Sequence, residues 1–376
     1  MQLEHVTYTD AWSKELPTAL DSEATLVFVA GAAELIDKPA PFAELRRAFP
    51  KARILGCSSA GEISGASISD HSIVAAIARF ETTRLAIETA PALAGESFAA
   101  GQALAKGLVK DDLRAVLVLS DGLAVNGTEL VAGLNSVLPA TVIVTGGLAG
   151  DGDRFKRTWV LDGETPKSGI VSALGLYGKD LRVSHGSRGG WDKFGPERVV
   201  TKSVGNVLWE LDGKPALALY KEYLGERASG LPATGLLFPL AIREAADSEK
   251  SLVRTILAVD GANQTMTFAG DIPKGHLAQL MKANFERLIG GAADAAEIAN
   301  GGASDSSKPT LAIAISCVGR RLVLGERAEE ELEATLAAMP KDTVQVGFYS
   351  YGELSPYAKG RCDLHNQTMT LTLLGE

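Results

Sequence analysis

The chain has 376 residues with 46 acidic against 37 basic side chains, a formal charge of −9. Its 46 % hydrophobic content excludes a disordered chain, and the acidic balance argues against nucleic acid or an anionic membrane surface as principal partner. Glycine, at 40 residues, exceeds the usual share of about 7 % without collagen periodicity or confinement to one linker.

The amino terminus, Met1-Gln2-Leu3-Glu4-His5, has no basic segment leading into an apolar one, and no run of about 18 apolar residues follows anywhere. The expectation is a cytoplasmic protein without membrane insertion. Cys57, Cys317 and Cys362 are too few and too scattered for a disulfide framework or a zinc site, so reduced thiols and no metal are expected.

In chain order the elements repeat one plan. An apolar strand at 26–29 leads to a helical stretch at 42–49, ended by Pro50, which has no N–H to continue it. A strand at 52–55 delivers Gly56-Cys57-Ser58-Ser59-Ala60-Gly61-Glu62-Ile63, and 72–80 has strand composition. The second copy has a strand at 116–119, the turn Ser120-Asp121-Gly122 and a helix at 129–138 closed by Pro139. A strand at 141–144 then reaches Thr145-Gly146-Gly147, and a further strand covers 170–177. Leu26 to Gly56 and Val116 to Gly146 span equal lengths, as a duplication requires.

A helix at 216–224 precedes a segment at 225–235 rich in Gly, Ala and Ser, with Pro232. Strands at 252–259 and 265–268 and a helix at 275–289 form a weaker fourth candidate. From Gly290-Gly291 through Gly301-Gly302 and Ser304-Asp305-Ser306-Ser307 to Lys308 the chain reads as a helix exit and a long loop. The third copy has a strand at 311–315, a helix at 328–339 ended by Pro340, and a strand at 344–346. That strand feeds Gly347-Phe348-Tyr349-Ser350-Tyr351-Gly352-Glu353-Leu354, in the same frame as the loop at 56–63, and a strand at 368–374 closes the unit. The alternation predicts an α/β or α+β fold: two domains of layered β-sheets with flanking helices, built from pseudo-repeated strand–helix–strand units. The expected division is a lead-in at 1–23, an N-terminal domain at 24–224, a hinge at 225–235 and a C-terminal domain at 236–376.

Several catalytic templates fail on spacing. The serine loop from Gly56 to Gly61 is one residue too long for the Gly-x-Ser-x-Gly elbow, which leaves a hydrolase or transferase on that loop as a lesser alternative. The stretch Gly146-Gly147-Leu148-Ala149-Gly150-Asp151-Gly152 lacks the dinucleotide fingerprint, and its acids would repel phosphate; no Walker lysine motif exists. Asp151-Gly152-Asp153, with Asp121, falls short of an EF-hand. The remaining pattern is a binding site: small residues at strand ends let a ligand approach backbone. Glu62 and Glu353 suit an amine or guanidinium, Ser58, Ser59, Ser350 and Asn366 suit polar groups, and Arg320 with Arg321 suits a carboxylate. The plainer reading is that these charges pair with one another.

At these residues the sequence resembles the FIST family. The resemblance rests on the loops at 56–63 and 347–353; on Gly150-Asp151-Gly152-Asp153-Arg154-Phe155 and Leu211-Asp212-Gly213-Lys214-Pro215-Ala216; and on Cys317-Val318-Gly319-Arg320-Arg321 and Cys362-Asp363-Leu364-His365-Asn366-Gln367-Thr368. It implies an N-terminal and a C-terminal FIST domain that sense a small ligand, an amino acid or similar polar metabolite, without catalysis. It also implies signalling through a partner such as a histidine kinase or a cyclic-di-GMP enzyme. The ligand set expected overall is Cys57, Ser58, Ser59, Glu62, Asp121, Asp151, Arg320, Tyr349, Ser350, Glu353, His365 and Asn366. One branch of the family is similar to a haem-binding nitric-oxide sensor. On that alternative, non-covalent haem would take His185 as axial ligand, with His365 second.

Overall fold

A computed structural model describes residues 1–93, 95–301, 309–357 and 360–376, and each sequence repeat builds the centre of one six-stranded sheet. The first unit comprises β1 (Gln2–Tyr8), β2 (Thr25–Ala32), α1 (Ala40–Ala48), β3 (Arg53–Ser59), β4 (Glu62–Ser64), β5 (Ser67–Ser69) and β6 (Ile73–Arg79). The second comprises β7 (Arg84–Pro91), α2 (Ser97–Leu108), β8 (Leu113–Ser120), α3 (Gly127–Val137), β9 (Ile143–Leu148), β10 (Val160–Asp162), β11 (Thr165–Lys167) and β12 (Ile170–Tyr177).

The third unit opens with β13 (Arg182–Arg188) and is then interrupted. The interruption holds β14 (Asp192–Val204), β15 (Val207–Leu211), β16 (Lys214–Pro215), α4 (Ala216–Leu224), β17 (Leu240–Arg243), β18 (Leu252–Arg254), β19 (Ile256–Asp260), β20 (Thr265–Phe268) and β21 (Leu277–Lys282). These strands form a separate antiparallel sheet with its own apolar core around Tyr220, Met266 and Phe268. The unit resumes with α5 (Phe285–Gly301), β22 (Thr310–Cys317), α6 (Val318–Leu324), α7 (Ala328–Ala337) and β23 (Thr343–Ser350), and ends with β24 (Gly352–Pro356), β25 (Cys362–His365) and β26 (Met369–Gly375).

In each unit a parallel pair (β2 with β3, β8 with β9, β22 with β23) is joined by a helical crossover. An antiparallel closing strand lies beside the first of the pair (β6, β12, β26), and a lead strand lies outside it (β1, β7, β13). The sixth place is filled by a hairpin from another unit. β10–β11 adds to β3, β24–β25 to β9, and β4–β5 to β23, so the three sheets donate hairpins in a closed cycle. Inner faces of all three sheets meet in one core, where Phe28, Leu117, Ile313 and Phe348 are fully or almost fully buried. Helices cover the outer faces: α1 on the first sheet, α2, α3, α5 and α7 on the others.

The cycle has a backbone signature where the three units meet. Ala60 N–H donates to Tyr349 O at 2.8 Å, Gly150 N–H to Ser58 O at 3.1 Å, and Tyr351 N–H to Leu148 O at 3.1 Å. These are equivalent positions, four residues beyond Gly56, Gly146 and Gly347. Those glycines face Val29, Val118 and Ala314 across the parallel pairs. A Cβ there would lie 2.9, 1.9 and 1.7 Å from the facing carbonyl oxygens, so glycine is required at these strand ends by backbone approaching backbone.

Several sequence expectations change. The helix expected at 275–289 is β21 followed by the start of α5, and α5 runs through Gly290-Gly291 to Gly301 where a loop was expected. Gly291 is needed because its Cβ would meet Gly189 and Gly190 backbone at 3.0 Å, not because the helix ends there. The rest of that expected loop, 302–308, lies outside the described residues. The strand at 252–259 is split into β18 and β19, and 225–235 forms turns of 3-10 helix.

Candidate functional site

Most of the polar residues singled out in the sequence are buried and engaged with protein. Glu62 Oε2 accepts from Ser72 N at 3.1 Å and from Ser72 Oγ at 2.7 Å, just ahead of closing strand β6. Glu353 Oε2 does the same with Thr368 N at 3.2 Å and Thr368 Oγ1 at 2.9 Å ahead of β26, while Oε1 accepts from Ser350 Oγ at 2.7 Å. In the second unit Gly152 stands where the glutamates do, and the latch comes from another strand: Asp121 Oδ2 accepts from Gly169 N at 2.9 Å ahead of β12. Three units thus tie their closing strands with three side-chain carboxyl groups. Burial pushes Glu62 up to about 7 and Glu353 up to about 8.

The others are bound as tightly. Arg320 and Glu331 form a fully buried ion pair, with Arg320 Nε and Nη2 2.9 and 2.7 Å from Glu331 Oε2. Arg320 also donates to Leu288 O at 2.7 Å and to Gly189 O, while Tyr349 and Ser316 hydroxyls donate to Glu331 Oε1 at 2.9 and 2.8 Å. The clamp that the sequence offered to a carboxylate ligand therefore holds a carboxylate of its own chain. Ser58 Oγ accepts from Trp159 N at 3.1 Å, and Ser59 Oγ from Gly61 N at 2.7 Å. Cys57 lies in the shared core, where burial pushes its thiol well up; all three cysteines are buried free thiols. His365 Nε2 lies 2.9 Å from Ser355 O, and burial pushes its imidazole down to about 4. Asn366 Nδ2 donates to His365 O at 3.0 Å, and Asn366 Oδ1 is buried without a partner.

His185 sits in the middle of β13, opposite Thr372 of β26, with Nδ1 3.5 Å from Ser355 Oγ. It lines none of the three adjoining clefts, so no described opening lies at its ring. The residues there do not fit haem as an axial site requires. Among the described residues no group of three or more His, Cys, Asp or Glu is placed to hold a metal, and no helix is long and apolar enough to cross a membrane.

The open space lies elsewhere, over the carboxyl ends of the parallel strands, where α/β folds commonly bind ligands. A cleft of about 580 Å³ runs between those ends and the inserted sheet. Its floor is Cys317, Val318 and Gly319 at the end of β22, with Tyr351 beyond β23; its roof is Leu231, Pro232, Leu236, Ile256 and Leu257. A second cleft of about 370 Å³ continues from it along Gly122 to Gly127, sharing Phe155, Leu257, Ala269 and Tyr351. A third, of about 230 Å³, adjoins at Asp153, Val318 and Leu322 and reaches Ser59, Glu62, Asp70 and Arg321. The three form one groove to which every unit contributes a strand end.

Two aromatic rings wall its centre. Phe155 stacks on Tyr351 with centroids 4.5 Å apart and planes 15° apart. Asp151 positions both: it accepts from Phe155, Lys156 and Arg157 N at 2.8, 2.8 and 2.9 Å and from the Tyr351 hydroxyl, and those bonds hold its carboxyl below the usual carboxylate range against the opposing effect of burial. Arg321, beside Arg320 in sequence, is instead at the groove, bidentate to Asp70 at 2.8 and 2.7 Å. Of the residues expected at a ligand, only Ser59, Glu62 and Arg321 line the groove. Cys317, Gly319, Tyr351, Phe155 and the inserted roof were missed. The first four stand inside or beside the quoted motifs, and Phe155 carries a positive φ of 51°, unusual for an aromatic residue.

A layered α/β body whose strand ends are covered by an inserted sheet over a groove defines a ligand-binding module. Residues 25–214 match the family model of the FIST N domain and residues 216–356 that of the FIST C domain, so the chain belongs to the FIST family. FIST domains are small-ligand sensory domains of signalling proteins. No curated protein matches the sequence. Among solved structures it is similar to the cyanuric acid hydrolase of A. caulinodans, at 10 % identity over 99 % of this chain and 97 % of that one, with a TM-score of 0.35. A cyanuric acid hydrolase described as an evolutionary innovation by structural concatenation has 11 % identity, 100 % and 99 % coverage and a TM-score of 0.30. At these scores neither likeness bears on the chemistry of this chain.

Proposed function

We propose that this protein senses a small metabolite, of amino-acid size, in the groove between the strand ends and the inserted sheet, and relays occupancy to a signalling protein. The observation that carries this reading is the groove itself: about 580 Å³ in its main cleft, roofed by one part of the chain and floored by another. A ligand touching both parts favours the arrangement in which they are closed on it, and its differential affinity sets how far that equilibrium moves. The inserted sheet joins the body at two crossings, between β13 and β14 and between β21 and α5, where relative motion would be accommodated.

The reading is a binding one, in the cytoplasm, without turnover. Ser58 and Ser59 are buried and accept backbone N–H bonds, and no histidine is hydrogen-bonded to either among the described residues, so neither has the histidine base of an acyl-transfer triad. A histidine kinase or a cyclic-di-GMP enzyme is the kind of partner the family resemblance implies. Melting against a panel of amino acids and small metabolites tests the proposal. The expected result is a compound that raises the midpoint and is recovered chemically unchanged after long incubation. A panel without effect, or conversion of the stabilising compound, would overturn it.

A further inference from the structure

We infer that the groove takes an organic cation with a flat apolar body, an arylalkyl amine lacking a carboxylate; this rests on the sensor reading above and names its ligand class. Three independent features point there. First, Leu123, Phe155, Leu257 and Leu322 are 42, 45, 44 and 43 % exposed, large for such side chains, and all four line the groove. Scattered exposed leucines need no explanation, but four converging on one cleft leave an apolar surface fit for a ligand body. The stacked Phe155–Tyr351 pair offers a flat face for a ring.

Second, Thr255 lines the main cleft at 5 % exposure, and its Oγ1 is buried with no hydrogen-bond partner. A buried hydroxyl without a partner is costly, and a small rotation of Thr255 toward a ligand N–H or O–H in the cleft would remove that cost.

Third, the charge is one-sided. Asp153 is the single charged residue lining the main cleft, and it has no ion pair among the described residues. Where the groove continues past it, Asp70 is held by Arg321 and Glu34 by His71 and Arg154, which leaves Glu62 as a second carboxyl without an ion pair. With both guanidinium groups committed to protein carboxylates, a ligand ammonium has a partner in Asp153 and a ligand carboxylate has none.

The test compares four probes that share an indole body: tryptamine, tryptophan, tryptophol and indole-3-acetate, by isothermal titration at pH 7 and low salt. The expected order is tryptamine first, at least about tenfold tighter than tryptophol, with tryptophan and indole-3-acetate weaker. Asp153→Asn should weaken tryptamine about five- to tenfold and leave tryptophol unchanged, and Leu257→Trp should abolish both. Because Asp153 and Leu257 are both exposed, neither variant threatens the fold. Equal binding of all four, or tightest binding of indole-3-acetate, would overturn the cation and leave the groove reading intact. No binding of any probe would overturn this inference, while the wider metabolite panel decides the sensor reading separately. Self-association of the wild type abolished by Leu257→Arg would show a second copy in the groove and overturn it also.

Discussion

The Arg320–Glu331 pair separates a structural tie from a ligand clamp. In Arg320→Met the carboxylate of Glu331 keeps the hydroxyls of Ser316 and Tyr349 but loses both guanidinium bonds, and Leu288 O and Gly189 O lose their donor. Breaking one side of a buried ion pair costs about 3–5 kcal/mol, since the remaining charge stays in a dry site. Unfolding entropy of roughly 2.1 cal/mol/K per residue converts that into a midpoint about 4–6 °C lower for a chain of 376 residues. Arg321→Met is the control from the next position. Its pair with Asp70 is partly exposed, so its loss, with the bond to Ala60 O, costs about 1–2 kcal/mol and roughly 1–3 °C. Calorimetry at pH 7 reads both. A wild-type midpoint in Arg320→Met, accompanied by loss of a ligand response, would refute the reasoning and restore Arg320 as a clamp.

Two further predictions concern the latches and the glycines. Glu353 is held near 8 in the fold against an ordinary 4.5, so the folded state binds the extra proton between those values. Stability from this group is fully present below 4.5 and is lost as pH rises through about 8, at no more than about 1.4 kcal/mol per pH unit. Melts from pH 6 to 9 should show a falling midpoint, and Glu353→Gln, which keeps an acceptor for Thr368, should flatten the fall; an unchanged slope counts against the burial argument. Gly347→Ala should prevent soluble folding, because its Cβ meets Ala314 O at 1.7 Å, whereas Gly290→Ala, with open space around it in α5, should stabilise by about 0.5–1 kcal/mol. Expression and urea denaturation check the pair; a stable Gly347→Ala protein would show that the strand end can relax.

The local plan of the fold was legible because its cause is local. Apolar runs closed by Pro50, Pro139 and Pro340 mark each crossover, and the glycine at the end of the second parallel strand (Gly56, Gly146, Gly347) follows from the same strand approach in each unit. The exchange of hairpins was not legible, because Glu62–Ser64 carries no mark of pairing with β23 instead of its own sheet. Glycines misled in α5: Gly291 is small to admit Gly189 and Gly190, and a sequence shows the small residue but not the neighbour. The polar residues of the motifs were identified as a set yet read outward. Arg320 and Glu353 face partners on Glu331 and Thr368 that only folding brings near. The groove depends on a roof inserted between β13 and α5, and its apolar residues follow no period that would set them apart from core.

The central claim is that ligand occupies the groove over the strand ends. It is tested most directly by carrying a stabilising compound from the wild type into Leu257→Trp, which fills the main cleft from its rim, and into Ile298→Trp, which adds the same ring to an exposed position on α5. At a hundredfold excess over Kd the compound should stabilise the wild type and Ile298→Trp by about 2.7 kcal/mol, or roughly 3 °C, and leave Leu257→Trp unmoved. An equal shift in Leu257→Trp would contradict the account, because the ligand would then bind somewhere else on the protein.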